Sequence, residues 1–562
     1  MLGLFDSTTN QVSAGRSADI VLRGGTVLTM TNHPRAAQAV AIRGDRIVWV
    51  GSETEVGDWI GRNTRVIELN GRTVMPGFIE SHGHFLGLGE SLMTVDLTGA
   101  ADYEEVVRRV ARAVKRADKG TWIIGRGWHQ EKWRRPPSPH VEGYPVHDAL
   151  SRISPDNPVL LTHATGHMCL ANEAAMKLAG MTRATPDPEG GAILRTKDGA
   201  PTGVFRENAM GPLYTAYQQA RSKMPAEQRQ AERLEAIRLA GEECVRHGVT
   251  TFHDAGVGFD TVDTYRKLAL ENRLPLRLYV MLNAGNPELA RRMKEYRTIG
   301  LGKHFLTVRA VKRMADGALG SHGAWMLEPY EDLPASTGHQ TLTRRSLEET
   351  ARLCLEYDYQ LCVHAIGDRA NREVLDVFEQ AFGQSNNGRQ LRWRIEHAQH
   401  LSLRDIPRFA ELGIVASMQG CHATSDGPFV VTRLGPRRAR EGAYAWRRLI
   451  DAGAIIANGT DVPVEPIDPL ACLYASVTRK LANGVAFFPE QCMTRREALE
   501  SYTTGGAYAA FEERDKGALE PGKLADLVVL SDNPLTCPTE QIPRLSVEMT
   551  LIGGQVVYQK SP

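Results

Sequence analysis

The 562-residue chain has almost no net charge: 67 lysines and arginines stand against 66 aspartates and glutamates, leaving +1 with histidine neutral. That balance excludes the basic field of a general nucleic-acid binder and the acidic excess of a solvating chain. The chain also lacks any run of about 18 consecutive apolar residues, which removes a spanning helix. Residues 1–23 carry Asp6, Arg16 and Asp19 without a continuous apolar stretch, so no secretory signal is expected there. The eight cysteines, Cys169, Cys244, Cys354, Cys362, Cys421, Cys472, Cys492 and Cys537, form no C-x-x-C pair and no dense framework, so reduced core thiols are expected. A phosphate loop of the form G-x-x-x-x-G-K-[ST] is absent. Gly320-Ser321-His322-Gly323 falls short of a serine-hydrolase elbow because Leu319 stands where G-x-S-x-G needs its first glycine. No repeat of solenoid length and no low-complexity tract occurs. With 42% hydrophobic and 24% charged residues, an ordinary globular protein of the cytoplasm is the expectation, with no nucleic acid and no membrane as partner.

Both ends of the chain are β-rich. Short runs at 20–22, 26–30, 39–42, 47–50 and 65–69 are separated by Gly24-Gly25 and Gly44-Asp45, residues that turn hairpins because glycine adopts positive φ without strain. The tail repeats this texture at 524–530, 547–552 and 555–558, with Gly553-Gly554 between the last two. The expectation is an antiparallel sheet domain built from both termini, residues 1–75 and 517–562. The middle, residues 76–516, alternates helical periodicity with short apolar runs: 104–118, 231–247 into 249–252, and 347–357 into 360–364. Repeated helix-then-strand texture points to parallel βα units, whose strand ends carry the chemistry. From about 120 to 203 the rhythm breaks into a Pro- and Gly-rich stretch with Trp122, Trp128, Trp133, His163 and His167, read as an insertion over the mouth of the parallel sheet.

His82-Gly83-His84 follows the apolar run 73–79. On extended backbone, residues two apart face the same side, so both imidazoles can approach one metal ion; two ordinary polar histidines beside a turn is the other reading. Three further strand-like runs end at or beside a metal-capable residue: 360–363 at His364, 392–396 at His397, and 454–459 just before Asp461. Four such endings in barrel-compatible order favour the metal reading.

These residues resemble a known family. Met75-Pro76-Gly77-Phe78-Ile79-Glu80-Ser81-His82-Gly83-His84, Lys312-Arg313-Met314-Ala315-Asp316-Gly317-Ala318-Leu319-Gly320-Ser321, Val363-His364-Ala365-Ile366-Gly367-Asp368-Arg369, Arg394-Ile395-Glu396-His397-Ala398-Gln399 and Gly459-Thr460-Asp461-Val462-Pro463-Val464 resemble the amidohydrolase superfamily, and within it the YtcJ-like, amidohydrolase-3 branch. The likeness runs nearly end to end. It implies an α/β fold, a (β/α)8 TIM barrel with a small β-sandwich domain built from both termini. Carried over by residue, it implies that His82 and His84 ligate one divalent ion and His364 and His397 a second. Asp461 would touch the first ion and handle protons. Lys312, as a carbamate formed with CO2, would bridge the two. The metal would be zinc, with iron or manganese as alternatives. Metal-bound hydroxide, formed because the ion drops the pKa of water from about 15.7 to roughly 7, would attack a carbonyl-type carbon and cleave a C–N bond of a small amide, N-formyl or related substrate. Similar enzymes are commonly homodimers. An isomerase or decarboxylase on the same barrel, and a non-catalytic metal-binding protein, are the alternatives.

Two departures bear on the pocket. Similar proteins more often have Asp at Glu80, expected to be a tolerated change behind the ligands, and Arg-Thr where this chain has His322-Gly323, which bears on how substrate is held. Trp128, His129, His163, His167, Phe205 and Glu207 could line a pocket or pack the insertion; Trp128, His163 and His322 are the substrate-binding candidates. The basic runs around Arg108 and Arg433 are read as solvated faces.

Overall fold

The computed structural model of the chain describes residues 17–31, 37–385 and 388–561. Residues 1–16, part of the stretch expected to hold no signal, lie outside them. The centre is a parallel sheet of eight strands: β1 (Phe78–Gly83), β2 (Val249–Val257), β3 (Arg277–Leu282), β4 (Leu306–Met314), β5 (Gln360–Ala365), β6 (Arg394–His397), β7 (Val415–Gln419) and β8 (Ile456–Gly459). Each pairs in parallel with its neighbour in this order. Beyond the end of β8 the chain returns to β1: Asp461 N–H donates to His82 O at 2.8 Å and His84 N–H to Val462 O at 2.7 Å, nearly closing a barrel. Helices such as Phe259–Leu270, Asp368–Gly383 and Gly420–Gly442 follow the strands and cover them. Strands enclosed on both faces are rich in apolar and β-branched residues, as at 249–252 and 360–363.

Between β1 and β2 lies the insertion, a six-stranded sheet in the order Gly191–Arg195, Pro201–Glu207, Met168–Ala171, Val159–His163, Ile123–Trp128 and Val95–Asp96. It therefore starts at Val95, ahead of the Pro-rich stretch. The helix Tyr103–Val114, whose periodicity suggested a barrel helix, packs Val106 and Val110 into the insertion's own core with Leu161 and Leu170. Amphipathic spacing shows that a helix buries one face and leaves open which sheet it covers.

The ends of the chain form two further sheets. One has the order Arg46–Gly51, Ala39–Arg43, Ile20–Arg23, Arg65–Glu68; the other Thr26–Val27, Thr73–Pro76, Leu527–Leu530, Val547–Ile552, Gln555–Gln559. Leu22, Val40, Ile42, Val74, Leu527 and Val529 from both sheets share one core, while Val528 and Leu530, on the opposite face of their strand, join the barrel core. Gly44-Asp45 and Gly553-Gly554 turn antiparallel hairpins as expected. Gly24-Gly25 does not. The pair carries the chain from one sheet to the other, so Ile20–Arg23 lies parallel to Arg65–Glu68 and Thr26–Val27 parallel to Thr73–Pro76. Gly24 has φ +73°, and a side chain at Gly25 would collide with Arg72 and Leu69, so the corner needs both glycines. Among the described residues no helix is long and apolar enough to cross a membrane.

Arg277 on β3 grips Asp526, just ahead of the C-terminal strands, through Nε–Oδ2 at 2.6 Å and Nη2–Oδ1 at 2.9 Å, with both side chains buried. Removing one member leaves an uncompensated charge. Asp526→Ala should therefore cost about 3–5 kcal/mol in denaturant unfolding, and Arg277→Met on top of it should recover part of the loss. A single-variant cost under about 1 kcal/mol, the range of exposed pairs, would show that the pair does not tie barrel to sheet.

Candidate metal centre and cleft

The candidate ligands meet where β1, β4, β5, β6 and β8 end. His82, His397 and Asp461 each offer one ligand atom, and these atoms lie within 4.8 Å of one another. His84 Nε2 is 3.3 Å and His82 Nε2 3.5 Å from Asp461 Oδ1, and Lys312 Nζ is 3.3 Å from His82 Nε2. The rings of His364 and His397 are 4.5 Å apart. All six residues singled out for the metal thus gather at one place. Among the described residues, two buried atoms there, Asp461 Oδ1 and His364 Nε2, have no hydrogen-bond partner. Buried polar atoms are rarely left unpaired, and this donor set, imidazole with carboxylate, suits a divalent transition ion. His397, Ala398 and Asp461 take left-handed backbone, with φ +75°, +43° and +59°. Non-glycine residues hold such conformations only where surrounding structure enforces them, commonly at functional sites.

The imidazoles are oriented from behind. His82 Nδ1 hydrogen-bonds Glu396, and Arg394 holds that carboxylate through Nε at 2.7 Å and Nη2 at 3.0 Å. The same guanidinium donates to Ser81 O at 2.6 Å and Ser417 Oγ at 2.7 Å. His397 Nδ1 donates to Gln419 Oε1 at 2.7 Å, and the Gln419 amide nitrogen donates to Ser417 O at 3.2 Å. Each ring therefore turns the lone pair of Nε2 toward the centre, the arrangement a metal-binding histidine requires. Burial holds His82, His364 and His397 well below the ordinary imidazole value, keeping them neutral. Burial likewise lowers Lys312, against the attraction of Glu396 and Asp461. For Asp461, burial would raise the carboxyl, but the neighbouring His84 and His82 imidazoles hold it below the usual range.

Glu80, the residue expected to be a tolerated change, spans the seam between β1 and β8. Its carboxylate accepts from Thr460 N–H at 2.6 Å and Thr460 Oγ1 at 3.2 Å. Any side chain at Gly459 would collide with it.

A small cleft, with a cavity volume of about 40 Å³, opens over these groups. The barrel contributes His364, His397, Gln399, His422, Asp426 and Asp461 to its wall, and the insertion contributes His129, Lys132, Thr165 and His167. Trp128, His163 and His322 do not line it. Trp128 donates to Leu161 O at 3.0 Å and packs on Trp133, and His163 is held by Gln130 and Thr165 within the insertion. His322 turns to Asp332 at 3.3 Å and to the ring of Tyr330. Their bulk and polarity are used in packing. The insertion instead presents His129 and His167, and His167 pairs with Glu207 at 2.8 Å against the ring of His364. His422 escaped the sequence reading although it stands just past β7, where the strand-end rule points; Gly420-Cys421 hid it.

A parallel barrel with imidazole and carboxylate groups converging at the carboxyl ends of its strands defines a metal-capable (β/α)8 barrel protein. The model of the Amidohydrolase family matches residues 65–558, and the chain belongs to that family. It is 34% identical to LONG AFTER FAR-RED 3 of Arabidopsis thaliana over 99% of this chain and 94% of that one. It is 32% identical to YtcJ of Bacillus subtilis (strain 168) over 96% and 99%, and 27% identical to the N-substituted formamide deformylase of Arthrobacter pascens over 97% and 99%. A crystal structure of an uncharacterized metal-dependent hydrolase from Pyrococcus horikoshii OT3 superposes with a TM-score of 0.73 at 26% identity, covering 93% of this chain and 99% of that one.

Glu396→Gln would leave His82 Nδ1 without its anionic acceptor and Arg394 without its counter-charge. Metal affinity, measured by competition with a chromogenic chelator, should fall about 10–100-fold while far-ultraviolet circular dichroism stays that of the parent. Unchanged affinity in a folded variant would remove Glu396 from the centre.

Proposed function

We propose that the protein is a metal-dependent hydrolase that cleaves a C–N bond other than a peptide bond, in an amide, an N-formyl compound or a related small organic substrate. The observation that carries this reading is the convergence of His82 Nε2, His397 and an unpaired Asp461 oxygen at the barrel mouth, with the opposite nitrogen of each imidazole already engaged. The deformylase among the relatives supports the N-formyl class. In this reading His82, His84 and Asp461 hold one divalent ion and His364 and His397 a second. Zinc is the first choice, with iron or manganese as alternatives. Lys312 would add a further ligand as a carbamate: its uncharged amine, favoured by burial, would bond to CO2 and give up a proton. A bound ion supplies Lewis acidity, lowering the pKa of water and polarising a carbonyl oxygen.

The chain's own groups do the rest. Asp461 accepts the proton of the attacking water at Oδ1 and delivers it to the departing nitrogen. A C–O bond forms, the C–N bond breaks, and an amine and an acid leave. Glu396 and Gln419 keep the imidazoles from turning, and the insertion limits the water that reaches the cleft. The two end sheets act as a small β-sandwich beside the barrel. A cytoplasmic homodimer completes the proposal, in keeping with eight cysteines that are all free of disulfides.

Two measurements test this. Elemental analysis of wild type and Lys312→Ala, purified without added metal, should give about two ions per chain in wild type and fewer in the variant. About one ion in both would mean a mononuclear site with Lys312 elsewhere, and none even after reconstitution would sink the reading. With N-butylformamide as probe, butylamine release should be metal-dependent and fall about 10²–10⁴-fold in Asp461→Asn. Conversion without amine release would instead indicate isomerisation.

A further inference from the structure

Two histidines in the cleft are set in opposite tautomers by two glutamines. His397 Nδ1 meets a carbonyl oxygen, Gln419 Oε1, so Nδ1 carries the hydrogen and Nε2 is a lone-pair donor fit for a metal. His422 Nδ1 meets an amide nitrogen, Gln399 Nε2, at 3.0 Å. An amide nitrogen only donates, so His422 Nδ1 must accept and its hydrogen sits on Nε2. That Nε2–H cannot ligate a cation.

We propose that His422 is an oxyanion donor, its Nε2–H bonding the substrate oxygen that gathers negative charge as water adds to the carbonyl. This rests on the hydrolase reading above and deepens it. His422 is 5% exposed, yet its Nε2 has no partner among the described residues. A buried N–H without an acceptor is costly, and it is tolerated where a ligand supplies one. The ring lines the cleft beside Asp461 and lies 6.1 Å from the His397 ring, inclined to it by 23°. Asp426, one helical turn on, accepts the Tyr444 hydroxyl at 2.6 Å through Oδ2 and makes no hydrogen bond to His422 Nε2 among the described residues. The residue stands in the first turn of Gly420–Gly442, just past β7, so its position is set by barrel and helix together. Fixed donors aimed where charge develops, in a cleft that excludes water, serve catalysis because they need no reorganisation during the reaction.

The test uses the full-length, zinc-reconstituted protein with methylphosphonate, a tetrahedral anion, titrated by calorimetry, and zinc counted on the same samples. His422→Leu should weaken methylphosphonate about 10-fold or more with zinc content unchanged. His422→Gln, whose amide N–H reaches the place of Nε2, should bind within about threefold of wild type. Should His422→Leu not fold, Gln399→Leu replaces it, since releasing the tautomer lock should also weaken binding. Equal binding in wild type and the leucine variant would overturn the proposal. So would equal loss in the leucine and glutamine variants, or zinc-loaded wild type that does not bind the anion. A wild type that takes up no zinc fails at the metal count, which overturns the hydrolase reading and this proposal with it.

Discussion

A buried chain of charge, Arg394 to Glu396 to His82, is the contact on which the site depends. Arg394 and Glu396 are two apart on β6 and so face the same side of the strand, toward the barrel interior. Taken alone, either charge would be prohibitive to bury. Together they form an ion pair, and Ser81 O on β1, Ser417 Oγ on β7 and His253 Nδ1 on β2 accept from the same guanidinium. The neighbouring strand β7 and, across the barrel, β1 are thereby pinned to β6 by the same guanidinium that steadies the acceptor of His82 Nδ1. Such a pair is weak evidence of stability, because apolar side chains could fill the space at lower cost. Its evident return is orientation: the ring of His82 presents Nε2 to the centre and nowhere else.

The second constraint is closure. The last strand meets the first through backbone bonds at Asp461 and His84 and through the Glu80 carboxylate on Thr460. Glu80 reaches Thr460 because Gly459 has no side chain, and Thr460 immediately precedes Asp461. The segment that shuts the barrel is thus the segment that carries the proton-handling carboxylate in the proposed reaction. Glu80 belongs to this seam, its carboxylate bonded to Thr460. Above the seam, the insertion roofs the cleft with His129, Lys132 and His167.

Much of this was legible in one sequence. Helical periodicity followed by short β-prone runs, as at 249–252 and 360–363, announced parallel βα units, and their strand ends pointed to His82, His364, His397 and Asp461. Hairpins at Gly44-Asp45 and Gly553-Gly554 were equally plain, since a two-residue turn is a local event. Gly24-Gly25 misled for the same reason: the pair permits a sharp change of direction, and whether the next strand returns beside its predecessor or crosses to another sheet is decided by distant partners. The helix Tyr103–Val114 shows the limit again, its apolar face being clear and its host sheet not.

The side chains of the cleft divide along that line. Residue type and strand-end position were enough to collect the four histidines and Asp461, because parallel strands end at one rim of the barrel, whereas Lys312 entered only through the family resemblance. Which of the remaining polar groups face the cleft was beyond local pattern. Trp128 and His163 have the character of pocket residues but find partners in Leu161, Gln130 and Thr165 within the insertion. His422 looked ordinary until Gln399, brought across from the end of β6, took its Nδ1 and left the opposite nitrogen buried without a partner among the described residues, on a residue that lines the cleft. A hydrogen bond between residues 23 positions apart is a product of packed strands, and only the folded chain assigns the proton.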